Sequence, residues 1–206
     1  MRLQPFALEG VVVRLEPLQV DHVDDLVRAA NQDRSSYGFT SVPKDHDSAV
    51  SYVSNLLEDA ANDTDVPFVQ RRQADGAVVG CTRFLNVTWW RGRDTPAEVE
   101  IGGTWLSVDA QRTAINTEAK LLLMTHAFDE WAVHRIAICT AADNERSRRA
   151  IERLGAVFEG VLRNHRASIG DAVTRPGLPR DSAIYSVVDL EWPAVRAGLQ
   201  ARLRAG

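Results

Sequence analysis

Two cysteines, no CxxC pair and no clustered histidines leave this 206-residue chain without the ligand spacing of a metal site. Cys81 and Cys139 lie far apart in strand-like segments and read as buried reduced thiols, and His22, His46, His126, His134 and His165 are scattered. No metal is expected. No run reaches the roughly 18 apolar residues that a membrane helix needs, and Met1-Arg-Leu-Gln-Pro-Phe6 lacks the apolar core of a signal peptide. A cytoplasmic location without a membrane partner follows as the expectation. Basic charge is also scarce: 24 Lys and Arg stand against 28 Asp and Glu, a formal net charge of -4. Without an overall basic field, nucleic acid is not expected as a direct partner. Internal repeats and low-complexity tracts are missing as well.

What remains is globular, with 45% apolar and 25% charged residues and a length that suits one large domain over residues 1–206. Val11-Val-Val-Arg-Leu-Glu16 predicts a short strand, and residues 21–30 a first helix entered through an Asp cap. Residues 31–44 are loop-like, and Tyr37, Phe39 and Asp45 beside them are candidates for substrate choice. A second helix over residues 47–61 places Val50, Val53, Leu56 and Leu57 at helical spacing. Strands over residues 66–72 and 77–88 meet across Ala74-Asp75-Gly76, a hairpin signal that implies antiparallel pairing. The polar excursion 89–96 carries the pair Trp89-Trp90, read as core or as a dimer contact in preference to a hydrophobic lid.

Residues 98–107 predict the next strand, and a helix free of Gly and Pro begins close to Asn116. A buried strand over residues 134–141 then completes a β-α-β unit with parallel strands. The helix over residues 143–155 is capped by Asp143 or Asn144 and ended by Gly155. Strands over residues 157–165 and 182–190 flank a Pro/Gly-rich loop, and a last amphipathic helix begins at Glu191-Trp-Pro193. The stretch Asp109-Ala-Gln-Arg-Thr-Ala-Ile-Asn-Thr117 is an abrupt polar turn from strand into helix. Free amides and the positive dipole end at such a start favour an anion such as phosphate.

The element order, the strand ending Ile101-Gly-Gly-Thr-Trp-Leu-Ser107, the loop Gln111-Arg-Thr-Ala-Ile-Asn-Thr-Glu-Ala119 and the run Asn144-Glu-Arg-Ser-Arg-Arg-Ala-Ile-Glu-Arg-Leu-Gly155 together resemble the GNAT N-acyltransferases. The branch of ribosomal-protein N-terminal acetyltransferases is the most similar. The resemblance implies an α/β, three-layer fold: a mixed central sheet of about seven strands with helices on both faces. It also implies acetyl-CoA as co-substrate, with succinyl-CoA or another acyl-CoA as the alternative donor. The loop after the fourth strand would then hold the pyrophosphate through Gln111, Arg112, Thr113, Ala114, Ile115, Asn116 and Thr117, with Trp105, Leu106 and Ser107 leading into it. Gln111 fits the family pattern, whereas Ala114 and Asn116 stand where two glycines are usual, and Arg112 where a third is common.

The implied reaction moves an acyl group to an amine, either a ribosomal or other protein N-terminus or a small molecule, through a ternary complex. It needs a base, an oxyanion donor and a proton for the departing thiolate. Glu100 is the first candidate base and Glu98 the second, two apart on one strand face. Ser147 and Tyr185 are the candidates for protonating the thiolate, and Asn144 for the pantetheine arm or simply the helix cap. Arg146, Arg148 and Arg149 are candidates for the CoA phosphates. The missing loop glycines keep open a non-catalytic acyl-CoA-binding module, and the Trp pair and C-terminal helix a homodimer.

Overall fold

The computed structural model describes residues 3–170 and 178–205. Two strands open it, β1 (Leu8–Glu9) and β2 (Val13–Pro17). A single 3-10 turn, Val20–His22, leads into α1 (Val23–Ala30). His22 rather than an aspartate closes that entry, its Nδ1 accepting the Gln19 amide at 3.1 Å. Helix α2 (His46–Ala61) starts at Asp45, whose carboxylate accepts the Ser48 amide at 2.8 Å. Strands β3 (Val66–Arg72) and β4 (Val78–Thr88) follow, and Gly76 between them takes a positive φ of 70°.

Next come β5 (Glu98–Leu106), α3 (Ile115–Thr125) with a π-helical turn at His126–Glu130, and β6 (Arg135–Ala141). Helix α4 (Glu145–Arg153), strands β7 (Val157–Ala167) and β8 (Pro179–Val188), and α5 (Trp192–Ala205) complete the chain. The loop before β8 includes residues 171–177, which lie outside the described residues.

One sheet runs in the order β1-β2-β3-β4-β5-β6-β8-β7, parallel only between β5 and β6. It has eight strands where about seven were expected; the addition, β1, is two residues long and too short for periodicity to reveal. The sheet separates two cores. Ile115, Ala119 and Leu123 of α3 and Val195 and Leu199 of α5 fill one, while Leu26 of α1 and Val53 and Leu56 of α2 fill the other. This is the three-layer α/β arrangement. Trp89 and Trp90 are 37% and 54% exposed. The core reading for this pair is therefore wrong, because the excursion leaves the sheet before its rings can reach either layer. Both cysteines are free thiols, and no helix among the described residues is long and apolar enough to cross a membrane.

Candidate active site

β5 and β6 pair only at Glu98–Arg135, Val99–Ile136 and Glu100–Ala137. Beyond these, β5 pairs outward with β4 and β6 outward with β8, so the sheet opens into a wedge. Each arm runs into a helix, α3 from β5 and α4 from β6, and two helix N-termini flank the mouth. Open α/β sheets bind ligands in crevices beyond the carboxyl ends of their strands.

At the α3 side, the backbone amides of Arg112, Thr113, Ala114, Asn116 and Thr117 have no acceptor among the described residues. Arg112 takes φ 60°, the left-handed turn shape that glycine adopts without strain, at a cost of roughly 1–2 kcal/mol for a side chain. Ala114 has φ -67° and needs no glycine. The loop therefore leaves five backbone amides without an acceptor among the described residues although its usual glycines are missing. Thr113 Oγ1 donates to the Ala110 carbonyl at 2.7 Å and tightens the turn.

Gln111 ties the mouth together: Nε2 donates to the Leu106 carbonyl (2.8 Å) and to Ser36 (2.9 Å), and Oε1 accepts from Arg146 of α4 at 2.9 Å. Tyr37 also donates to the Leu106 carbonyl, at 3.0 Å, and burial pushes its phenol up to about 12, so it stays protonated. Ser107 is buried and donates to Asp109 at 2.6 Å. The Trp105 ring points into the second core, its Nε1 donating to the Tyr52 hydroxyl at 3.3 Å, and its carbonyl turns toward β4 and accepts from Gln70 at 3.3 Å.

On the α4 side, Asn144 Oδ1 accepts the Ser147 amide at 3.1 Å, which makes Asn144 the cap. Asp143 is not the cap. Tyr185 is fully buried; its hydroxyl donates to Glu152 (3.0 Å) and accepts from Arg148 Nε (3.0 Å). Arg148 and Tyr185 are thus bound to each other behind the mouth, while Ser147 remains on the first turn of α4 beside it. Arg149 is an exposed surface residue paired with Glu145 at 3.4 Å.

The other predicted carboxylates lie where the wedge closes. Glu98 pairs with Arg135, whose other amino group meets Glu159. Glu100 is buried, with Arg166 donating to both its oxygens (3.0 and 2.6 Å) and Asn86 donating to Oε2 at 2.8 Å. These donors leave little of the carboxylate free, since it offers about four acceptor sites.

One carboxylate escaped the sequence reading. Asp65 precedes β3, and one strand, β4, stands between it and Glu100 of β5, since Val66 pairs with Phe84 and Leu85 with Glu100. Burial pushes its carboxyl up to about 6 against the opposing pull of Arg83, whose Nε lies 2.8 Å away but outside hydrogen-bond geometry. The Arg83 guanidinium lies across the β5 bulge: a Cβ on Gly103, at φ 57°, would sit 2.9 Å from its Cζ. A side chain there would displace the guanidinium and carry the same left-handed strain as Arg112. Asp65 also borders a cleft of about 330 Å³ lined by Leu3, Leu18, Leu57 and Pro67, which connects it to solvent.

The profile of the acetyltransferase (GNAT) domain matches residues 13–157. The chain belongs to the GNAT family. Its fold matches a GNAT (GCN5-related) N-acetyltransferase from Brucella melitensis with a TM-score of 0.84 and 29% identity, over 98% of this chain and 87% of that one. A provisionally named acetyltransferase from T. thermophilus matches with a TM-score of 0.79 and 32% identity, over 98% and 100% of the two chains. A Bacillus subtilis (strain 168) protein, provisionally named ribosomal N-acetyltransferase YdaF, is 32% identical over 118 residues, which span 57% of each chain. The ribosomal branch of the GNAT family is therefore the one this chain resembles.

In this GNAT chain residues 106–117 and the first turn of α4 flank one opening, whereas Trp105 packs into the second core and Arg148 is held by Tyr185. The predicted catalytic residues do not converge there, since Glu98 and Tyr185 are committed to partners away from that opening. Arg166 reaches Glu100 and Tyr37 reaches the Leu106 carbonyl from elements distant in sequence, while Asp65 and Arg83 pair with each other on the far side of β4. Only Tyr37 had a local signal, as an aromatic in a loop between two helices.

Proposed function

We propose that this protein is an N-acyltransferase that moves the acetyl group of acetyl-CoA to an amine by direct transfer in a ternary complex. The observation that carries this reading is the wedge between β5 and β6, with the unpaired amides of the α3 loop at one side of its mouth. The backbone from Arg112 to Thr117 would hold the pyrophosphate, with Arg112 and Arg146 adding positive charge, and Ser147 would stand near the pantetheine end. When bound, the acyl-CoA supplies an activated thioester. The edge amides of β5 beyond Glu100 are preorganised donors for a developing oxyanion.

Asp65 is the proton acceptor in this reading, in preference to Glu100. Its carboxyl, raised to about 6, is ionised at neutral pH yet basic enough to take a proton from an amine. Glu100 instead fixes Arg166 and the floor of the acceptor side. The cleft beside Asp65 lets the proton pass to water. The acceptor is an α-amino group or a small-molecule amine, and the resemblance to a ribosomal N-acetyltransferase favours a protein N-terminus. An α-amino group, with a pKa of about 8, needs only a modest base.

The test is release of free thiol from acetyl-CoA across a panel of amines and N-terminal peptides. Thiol release that depends on the amine supports transfer. Binding of CoA by calorimetry without any thiol release would make the chain a binding module instead. A homodimer is also proposed, built on the exposed apolar side chains Val157, Phe158, Val161 and Leu162 of edge strand β7. Light scattering giving the monomer mass at micromolar protein would remove it.

A further inference from the structure

Arg166 and Arg180 stand directly opposite each other in the β7–β8 ladder. Like charges at facing positions cost stability. Arg166 is offset by its bidentate pair with Glu100. Arg180 has no ion pair and no hydrogen bond among the described residues, and its Nε is sealed from solvent without a partner. Ser182 lies two positions along β8 on the same strand face. It is 0% accessible, and beyond the Cys139 thiol beside it its hydroxyl has no hydrogen-bond partner among the described residues. The nearby Cys139 thiol is at best a weak acceptor for it. Buried polar atoms without partners are rare in native structures, and each calls for a reason.

The register places these groups on the acceptor side of the wedge. Glu100 pairs with Ala137, Cys139 with Ile184 and Ala141 with Ser182, so Ala137, Cys139, Ala141, Ser182 and the larger Ile184 make the floor between Glu100 and Arg180. Charge on this floor sums to an excess of one guanidinium: Glu100 answers Arg166, and nothing among the described residues answers Arg180. A planar guanidinium fork beside one hydroxyl matches the two oxygens of a carboxylate.

We infer that Arg180 and Ser182 form a receptor for a carboxylate carried by one of the substrates. The inference rests on the acyl-transfer reading for its location. The carboxylate has two chemical sources: the far end of a dicarboxylic acyl chain, as in succinyl-CoA, or the acceptor itself, as in an amino acid or peptide with a free acid group.

Two matched pairs separate them, succinyl-CoA against acetyl-CoA, and an acceptor acid against its amide. Each is measured as kcat/KM and, independently of turnover, as calorimetric affinity, with wild type, Arg180→Ala and Arg180→Lys. The wild type should favour the carboxylate member of one pair by about tenfold or more, as expected for a charged hydrogen-bonded pair. Arg180→Ala should bring that ratio to within about threefold, and Arg180→Lys should retain part of it. A preference in the donor pair assigns the carboxylate to the acyl chain, and one in the acceptor pair assigns it to the amine substrate. No preference in either pair, or one that survives Arg180→Ala, overturns the inference. Arg180-dependent carboxylate binding without turnover would keep it and sink the transfer reading; turnover without that binding would do the opposite.

Discussion

At the scale of single residues, the proposed reading gives Asp65 the base role for which Glu100 and then Glu98 were the candidates, while Glu100 holds Arg166. Glu100 lies on the expected strand, but the Arg166 that occupies it comes from β7, and no local pattern announces a contact spanning 66 positions. Asp65 was invisible for the same reason: its neighbour Arg83 is brought to it by antiparallel pairing. Asp65→Asn should lower kcat by about 10²–10⁴-fold, the usual worth of a general base, with CoA affinity kept. In wild type, kcat/KM should fall as pH drops through about 6, because only the ionised carboxylate takes a proton. Asp65→Asn should abolish that acid limb, whereas Glu100→Gln should lower turnover less and leave the limb in place. An acid limb unchanged in Asp65→Asn would assign the base elsewhere. Arg112 offers a separate check. Arg112→Gly removes strain and charge together, so the melting temperature should rise by about 2–4 °C per kcal/mol relieved while CoA binding weakens. Tighter CoA binding in that variant would mean that the guanidinium does not meet the phosphates.

At the scale of elements, most of the chain was legible because the signals are local. The Asp75-Gly76 turn, the Asp45 and Asn144 caps and the apolar spacing of α2 each depend on a few adjacent residues. The exposed Trp pair and the two-residue β1 were not, since both depend on where the sheet ends. Helix α3 contains a further surprise. Lys120 is buried, its Nζ donating to Thr104 (2.7 Å) and Thr82 (3.1 Å), and burial pushes its amine down to about 7. Its folded value lies below the unfolded one, near 10.5. Between these values the unfolded chain binds more protons, so stability rises with pH; below about 7 the full cost of a buried ammonium is present. Lys120→Met leaves the two threonine hydroxyls bonded to each other at 2.9 Å. It should therefore raise the melting temperature, and more at about pH 6 than at about pH 9, on either side of the folded value. A loss of stability at the acid end would contradict this account of the helix. Asn144→Ala should cost about 1 kcal/mol through the lost α4 cap, measurable by urea unfolding.

At the scale of the molecule, one topological event organises function: a parallel pair that stops after three residues and leaves two helix starts facing a wedge. Composition counted against a metal site and an overall basic field but could not locate that opening, which depends on β6 pairing with β5 on one side and β8 on the other. The family match covers the same stretch of chain, residues 13–157, and Arg112 in the α3 loop takes the left-handed turn that glycine adopts without strain. The central claim is that acyl transfer to an amine takes place at this wedge. Its most direct test follows acetyl-CoA, an N-terminal peptide and the protein by thiol release and by peptide mass. The account predicts one free thiol for each acetylated peptide, with both signals lost together in Asp65→Asn. CoA binding with no thiol released and no peptide modified, across the full amine panel, would contradict it.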